Sequence, residues 1–310
     1  MLYEMHSANR AFAASANFFA EAWKQALTHP FAPFRECALV QNMAAAADLT
    51  ERLTRHYAKP SFGIEATTLP DGTQVQVAEE TVADRPFCKL TRFRKEGVQK
   101  PGPKVLLVAP ASGHFATLLR GTVERLLPET DVHVTEWANA REVPMAAGPF
   151  GLDDYTDYLI EFIELLGGSD VHVMAVCQPA PVTLAAVARI HQDGGDPPAS
   201  MTLMGGPVDA GAAPTEVTEL AESKPMSWFR ARTCSVPVGF PGAGRQVYPG
   251  FSQLFGFLMM NPDSHMRSHL DYYEHLVEGD GDSAEAHRKF YDEFLSVRDE
   301  PAEYFLDTID

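Results

Sequence analysis

Residues 171–181 read Val171-His172-Val173-Met174-Ala175-Val176-Cys177-Gln178-Pro179-Ala180-Pro181. The first six, rich in valine, suit a strand buried in a parallel sheet. Pro179 suits the first turn of a helix, where its missing N–H would lack a partner anyway. One thiol, Cys177, therefore stands at a strand-to-helix junction. Outward from it the rhythm repeats. Lys104-Val105-Leu106-Leu107-Val108-Ala109 is a continuous apolar run, followed by an expected helix at 115–127, a short strand at 132–137 and a helix from Leu152-Asp153-Asp154. On the other side, a helix over 182–191 leads to a strand at Met201-Thr202-Leu203-Met204. Such alternation predicts the α/β class, a mainly parallel sheet with helices on both faces.

Further upstream, the turn Leu69-Pro70-Asp71-Gly72-Thr73 precedes alternating residues at 74–78, and a second strand is expected at 88–93 beyond Ala83-Asp84-Arg85-Pro86. This is an antiparallel opening hairpin. The first 60 residues predict a helical N-terminal extension of two helices, broken at His29-Pro30-Phe31-Ala32-Pro33. In the first, Phe12, Ala16, Phe19, Trp23 and Leu27 form one apolar stripe. Such a stripe ordinarily faces a core, so packing is expected. The other reading is a face for an apolar polymer or lipid. After Gly205-Gly206-Pro207 the alternation stops, and 207–310 reads as a cap, Pro- and Gly-rich at first and helical from about Ser264. The expected domains are the extension over 1–60, the core over 61–206 and the cap over 207–310.

A formal net charge of −17 over 310 residues disfavours nucleic acid and anionic membrane surfaces as partners. Cys37, Cys88, Cys177 and Cys234 show neither a CxxC pair nor zinc-finger spacing, so no disulfide framework, metal site or cofactor is expected. The start lacks the basic and apolar regions of a secretory leader. No apolar run reaches the roughly 18 residues of a membrane span. A cytoplasmic location follows as the expectation.

At Cys177 the order strand, thiol, helix matches a nucleophile elbow, which projects its nucleophile from the carboxyl edge of the sheet. The amides of the helix's first turn then favour negative charge developing nearby. The Gln178 N–H is expected to stabilise a tetrahedral oxyanion. A second donor should come from Ala109-Pro110-Ala111-Ser112-Gly113-His114, with Ser112 the choice and Ala111 next. Against this stands the ordinary use of cysteine as a small buried hydrophobe. The flanking Ala175 and Pro179 also replace the glycines usual at such elbows.

Three stretches carry a resemblance: Ala175-Val176-Cys177-Gln178-Pro179, the loop from Ala109 through Thr122, and Leu203-Met204-Gly205-Gly206-Pro207-Val208-Asp209. With Met1-Leu2-Tyr3-Glu4 and Phe257-Leu258-Met259-Met260-Asn261-Pro262, they resemble the intracellular polyhydroxyalkanoate (polyhydroxybutyrate) depolymerases over nearly the whole chain. The resemblance implies an α/β-hydrolase-like fold and Cys177 as nucleophile. It further implies hydrolysis of a poly(3-hydroxybutyrate)-type storage polyester through an acyl-enzyme, on cytoplasmic storage granules. The apolar residues between Trp228 and Met260 would then serve both as cap core and as polymer-facing surface.

In this fold the acid and histidine follow the nucleophile in chain order, and relatives continue past Asp310, where both are expected. The chain alone is therefore expected to be nearly inactive, since general-base assistance is worth about 10²–10⁴-fold. His265, His269, His275 and His287 read as a solvated helical face, without the spacing of a metal site. His114 reads as a site neighbour, and Asp209 as an acid or a turn residue. Two alternatives stand beside hydrolysis: a polyhydroxyalkanoate synthase-like acyltransferase, and a non-catalytic granule-binding fragment.

Overall fold

A computed structural model describes residues 2–34, 36–212 and 214–310, without the side chain of Glu216. Met1, part of a stretch quoted above, lies outside the described residues. The chain opens with α1 (Leu2–Thr28) and α2 (Ala38–Thr54). Seven strands follow: β1 (Ala66–Thr68), β2 (Gln74–Arg85), β3 (Cys88–Lys95), β4 (Lys104–Val108), β5 (Asp131–Trp137), β6 (Val171–Val176) and β7 (Ser200–Met204). Among them lie α3 (Arg120–Leu126), α4 (Leu152–Leu166) and α5 (Ala180–Gln192). The remainder holds α6 (Glu216–Ser223), α7 (Met226–Arg230), β8 (Cys234–Ser235), β9 (Gln246–Tyr248) and α8 (Gly250–Met260). It closes with α9 (Pro262–Glu278), α10 (Gly281–Phe294), β10 (Glu300–Pro301) and α11 (Ala302–Asp307).

Two compact units emerge, one of residues 1–59 and 254–296, the other of 60–253 and 297–310. In the second, the sheet order is β1-β2-β3-β5-β4-β6-β7. β5, β4, β6 and β7 run parallel, and β1, β2 and β3 are joined antiparallel. This is the α/β-hydrolase arrangement. Val105, Leu106, Leu107 and Val108 of β4 are all buried, as expected of a strand covered on both faces. The expected break at Ala83-Asp84-Arg85-Pro86 is not one: β2 continues to Arg85, which pairs with Cys88. Only Pro86 and Phe87 turn the hairpin, and a register shift between Thr81 and Ala83 takes up the slack. The helix expected at 115–127 begins as a 3-10 turn over Ala116–Leu119 before α3.

Residues 297–310 reach into the aromatic core of this unit. Tyr304 stacks on Tyr155 with ring centroids 5.1 Å apart, and Tyr155 stacks on Trp137 at 4.0 Å. All three are buried.

In the first unit α1 packs on α2, but not through its aromatic stripe. Asn17 donates to the Glu51 carbonyl at 2.7 Å, Ala20 is buried, and Lys24 lies 3.5 Å from Asp48 and 3.3 Å from Glu51. Asn17, Ala20 and Lys24 recur at helical spacing on one face of α1, whose other buried residue is Tyr3. Phe12, Phe19 and Trp23 stay 80%, 64% and 54% exposed, contrary to the expectation that this stripe is the packing face.

Candidate active site

β4 is the strand at which the sheet order reverses: its crossover leads to β5 on one side, while β6 lies on the other. Chains leaving the carboxyl edge at such a point diverge and open a crevice. Val108 is in register with Ala175, so the loop after β4 and the turn after β6 emerge side by side. Cys177 is the first residue of that turn, and it is exposed. Cys88, by contrast, is fully buried, and burial pushes its thiol well up.

The turn is tight. Cys177 has φ +66°, a conformation shared among the described residues with a side chain only by Phe34. Left-handed backbone is costly for any residue with a Cβ, and its persistence here requires the surroundings to hold it. The Cys177 N–H donates to the Met204 carbonyl at 2.7 Å, and the Cys177 carbonyl accepts from Ala180 N–H at 3.0 Å. Pro179, at φ −73°, leads into α5. The close approach that glycines beside a nucleophile normally allow is supplied from β7's end instead. A Cβ on Gly206 would lie 2.0 Å from the Cys177 carbonyl oxygen and 2.6 Å from Ala180 Cβ.

The Gln178 N–H and the Ser112 N–H have no hydrogen-bond acceptor among the described residues. Both sit on the two adjacent loops. Ala111, the second choice as donor, is already committed: its N–H donates to Gln178 Oε1 at 3.1 Å. Gln178 Nε2 in turn donates to Glu300 Oε1 at 3.4 Å. Glu300 is 2% exposed, and burial pushes its carboxyl up to about 7 against the pull of Arg298 and of the Gln178 amide. Arg298, equally buried, donates from Nε to the His114 carbonyl at 3.2 Å, from Nη1 to Ala138 at 3.1 Å and from Nη2 to the Ala111 carbonyl. Its own N–H donates to the Gly113 carbonyl at 2.7 Å. The loop's first residue is also held, because Ala109 accepts from Trp137 Nε1 at 2.8 Å and donates to Thr135 Oγ1 at 2.9 Å.

The remaining candidates fall elsewhere. Asp209 is exposed and accepts from Gly211 N–H at 2.9 Å, which is a turn role. His114 joins the loop to Val297 through a β-bridge. His265, His269, His275 and His287 belong to the helical unit. There His265 Nδ1 lies 2.9 Å from the Tyr291 hydroxyl, and His287 stacks on Tyr272 at 4.3 Å. No group of three or more His, Cys, Asp or Glu able to hold a metal ion occurs among the described residues. No described helix is long and apolar enough to cross a membrane.

Three residues escaped the sequence reading: Gly206, Arg298 and Glu300. Gly205-Gly206 at a strand end was a usable signal for close approach. The other two lie over 100 positions from the thiol, and no local pattern marks them.

Residues 205–310 match the family model described as PHB de-polymerase C-terminus. The match covers about a third of the chain. The matched stretch holds Gly206, Arg298 and Glu300, so the PHB depolymerase-like segment is the part that braces the turn at Cys177. No curated protein matches the sequence. Among solved structures, the chain is similar to the Vlm2 thioesterase domain, with 17% identity, 45% of this chain and 57% of that one covered, and a TM-score of 0.34. A hormone-sensitive lipase from a metagenome library shows 15% identity over 47% and 50% of the two chains, with a TM-score of 0.33. For an ester hydrolase from the metagenome of Lake Arreo the values are 15%, 58%, 56% and 0.34. The chain spans a little over half the length of the thioesterase and ester-hydrolase structures and half that of the lipase. The fold rests on the strand order itself, and the functional reading on the site.

Proposed function

We propose that the chain is an ester hydrolase acting on poly(3-hydroxybutyrate)-type storage polyester through a Cys177 acyl-enzyme. The observation that carries this reading is the exposed thiol held at positive φ between β6 and α5, beside a loop with an unengaged amide. In the proposed reaction the thiol first gives its proton to water. The sulfur then attacks the ester carbonyl carbon, and the C=O electron pair moves onto oxygen. The Gln178 and Ser112 N–H groups stabilise that oxyanion, and removing one such donor typically costs about 10²–10³-fold. Collapse expels the alkoxide, which takes up the proton released earlier. Water then cleaves the thioester to the hydroxy acid and restores the thiol.

The polymer assignment draws on the family match and on surface chemistry. A storage polyester is apolar and uncharged, so its enzyme needs an apolar landing surface rather than a charged clamp. The helical unit exposes Phe12, Phe19 and Trp23, and also Phe255, Met259 and Met260 at 65%, 53% and 52%. These residues support association with storage granules.

The test is mass spectrometry of the chain after exposure to p-nitrophenyl butyrate, together with 3-hydroxybutyrate release from amorphous polyhydroxybutyrate granules. An acyl adduct on Cys177, absent from Cys177→Ala, is expected, with only slow product release from this chain, since no general base among the described residues stands beside the thiol to assist turnover. Elongation of hydroxyacyl-CoA into polymer would instead favour the acyltransferase reading. Granule binding with no adduct and no release would reduce the protein to a binding role.

A further inference from the structure

The proposed hydrolysis needs two amides, from two different loops, held at one separation. One side chain spans them. Gln178 supplies a backbone N–H from the turn, while its side-chain Oε1 fixes Ala111, the residue immediately before Ser112. Any rotation of that amide would move the Ser112 donor relative to the Gln178 donor. What orients the amide is its other end, which donates to Glu300 Oε1.

Burying a carboxyl beside a neutral amide is costly unless the group is bonded. Glu300 is fully enclosed yet serves no ion pair on the surface. Its surroundings are Arg298 on the preceding turn of chain, Tyr248 opposite it on β9, Tyr304 on α11 and Gln178. Arg298 meanwhile holds the carbonyls of Ala111 and His114 and, by its N–H, that of Gly113. The segment 298–300 therefore grips both loops at once. Within a low-dielectric site such chained bonds reinforce one another.

We propose that Gln178, through its side chain, and Glu300 are positioning residues that set the spacing of the two oxyanion donors. This rests on the reading of Cys177 as the nucleophile. Neither side chain touches the reacting atoms, so their effect should be confined to steps that build an oxyanion. Acylation of Cys177 by p-nitrophenyl butyrate is such a step. Alkylation of the same thiol by iodoacetamide is not, because it displaces iodide at a saturated carbon.

The experiment compares the two rates in wild type, Glu300→Leu, Glu300→Gln, Gln178→Ala and the Gln178→Ala/Glu300→Leu double variant. Acylation should fall about 10-fold in Glu300→Leu and in Gln178→Ala, a fraction of the loss caused by deleting a donor outright, while alkylation stays within about twofold. Glu300→Gln should recover most of the rate, because its amide oxygen still accepts from Gln178 Nε2. The double variant should fall no further than either single one, as expected for two links of one chain. Unchanged acylation in Glu300→Leu would overturn the inference, and so would a parallel fall of both rates, which marks a purely structural role. If wild-type Cys177 alkylates but never acylates, the proposed function itself fails, and the inference fails with it.

Discussion

The carbonyl oxygen of Cys177 occupies the space that a side chain on Gly206 would need, 2.0 Å from where its Cβ would stand. Two backbones meet there with no room for a methyl group. Gly206→Ala should therefore force the turn apart, destabilising the fold by about 2–3 kcal/mol. Acylation of Cys177 should drop far more than its alkylation. Urea denaturation and the two labelling rates check this, and wild-type values for all three would show that the turn tolerates the clash.

Cys177 holds a positive φ, a strained backbone state that persists only where its surroundings fix it. Two variants without a thiol separate strain from chemistry. Cys177→Gly should be more stable than Cys177→Ala by about 1 kcal/mol, since glycine alone takes this conformation freely. Neither should form an acyl adduct. Equal stabilities in chemical denaturation would mean that the turn relaxes to negative φ once the thiol is gone.

Glu300 makes stability depend on pH in a definite direction. Its carboxyl sits at about 7 in the folded chain against 4.5 as a free side chain, raised by burial. Between these values the folded state holds a proton that the unfolded state has lost, so stability falls as pH rises through that window and changes no further above it. The full effect is of order 3 kcal/mol. Glu300→Gln, which cannot ionise, should gain on wild type by that amount between pH 4.5 and 7. A pH-independent difference would show that Glu300 stays in one protonation state.

The helical unit should respond to acid in the opposite sense. His287 stands between Tyr272 and Tyr291, and burial, with His269, Arg52 and Arg288 nearby, pushes it down to about 4 from 6.5. The unfolded chain takes the proton first, so stability is full above pH 6.5 and is lost as pH falls towards 4. His287→Phe keeps the ring stack and removes the proton site. Its Tm should exceed that of wild type by a few degrees at pH 5 and match it at pH 7.5. A gap of the same size at both values would locate the effect in packing.

The stripe on α1 offers a test of granule association that leaves the site untouched. Replacing Phe12, Phe19 and Trp23 by serine removes side chains that are more than half exposed, so the fold should lose little. Each apolar side chain buried on a granule would contribute roughly 1.5–3 kcal/mol, so co-sedimentation with polyhydroxybutyrate granules should fall at least about 10-fold. Alkylation of Cys177 should not change. Undiminished co-sedimentation would assign granule contact to other residues.

Local patterns alone determined much of this protein. The apolar runs at 104–109 and 171–176 and the helices between them specified a parallel α/β sheet, because period and burial on both faces are written into neighbouring residues. They also placed Cys177 at the end of β6. The tertiary structure decided what surrounds that thiol. Which strands lie beside β6, which glycine yields to the Cys177 carbonyl, and which buried carboxyl orients Gln178 all depend on contacts between distant segments, whose separation leaves no periodic trace. The same holds for α1, where the apolar stripe suggested packing and the observed interface runs instead through Asn17, Ala20 and Lys24. Amphipathicity tells which faces differ, but the partner's chemistry, here Asp48 and Glu51 of α2, selects the face that is covered.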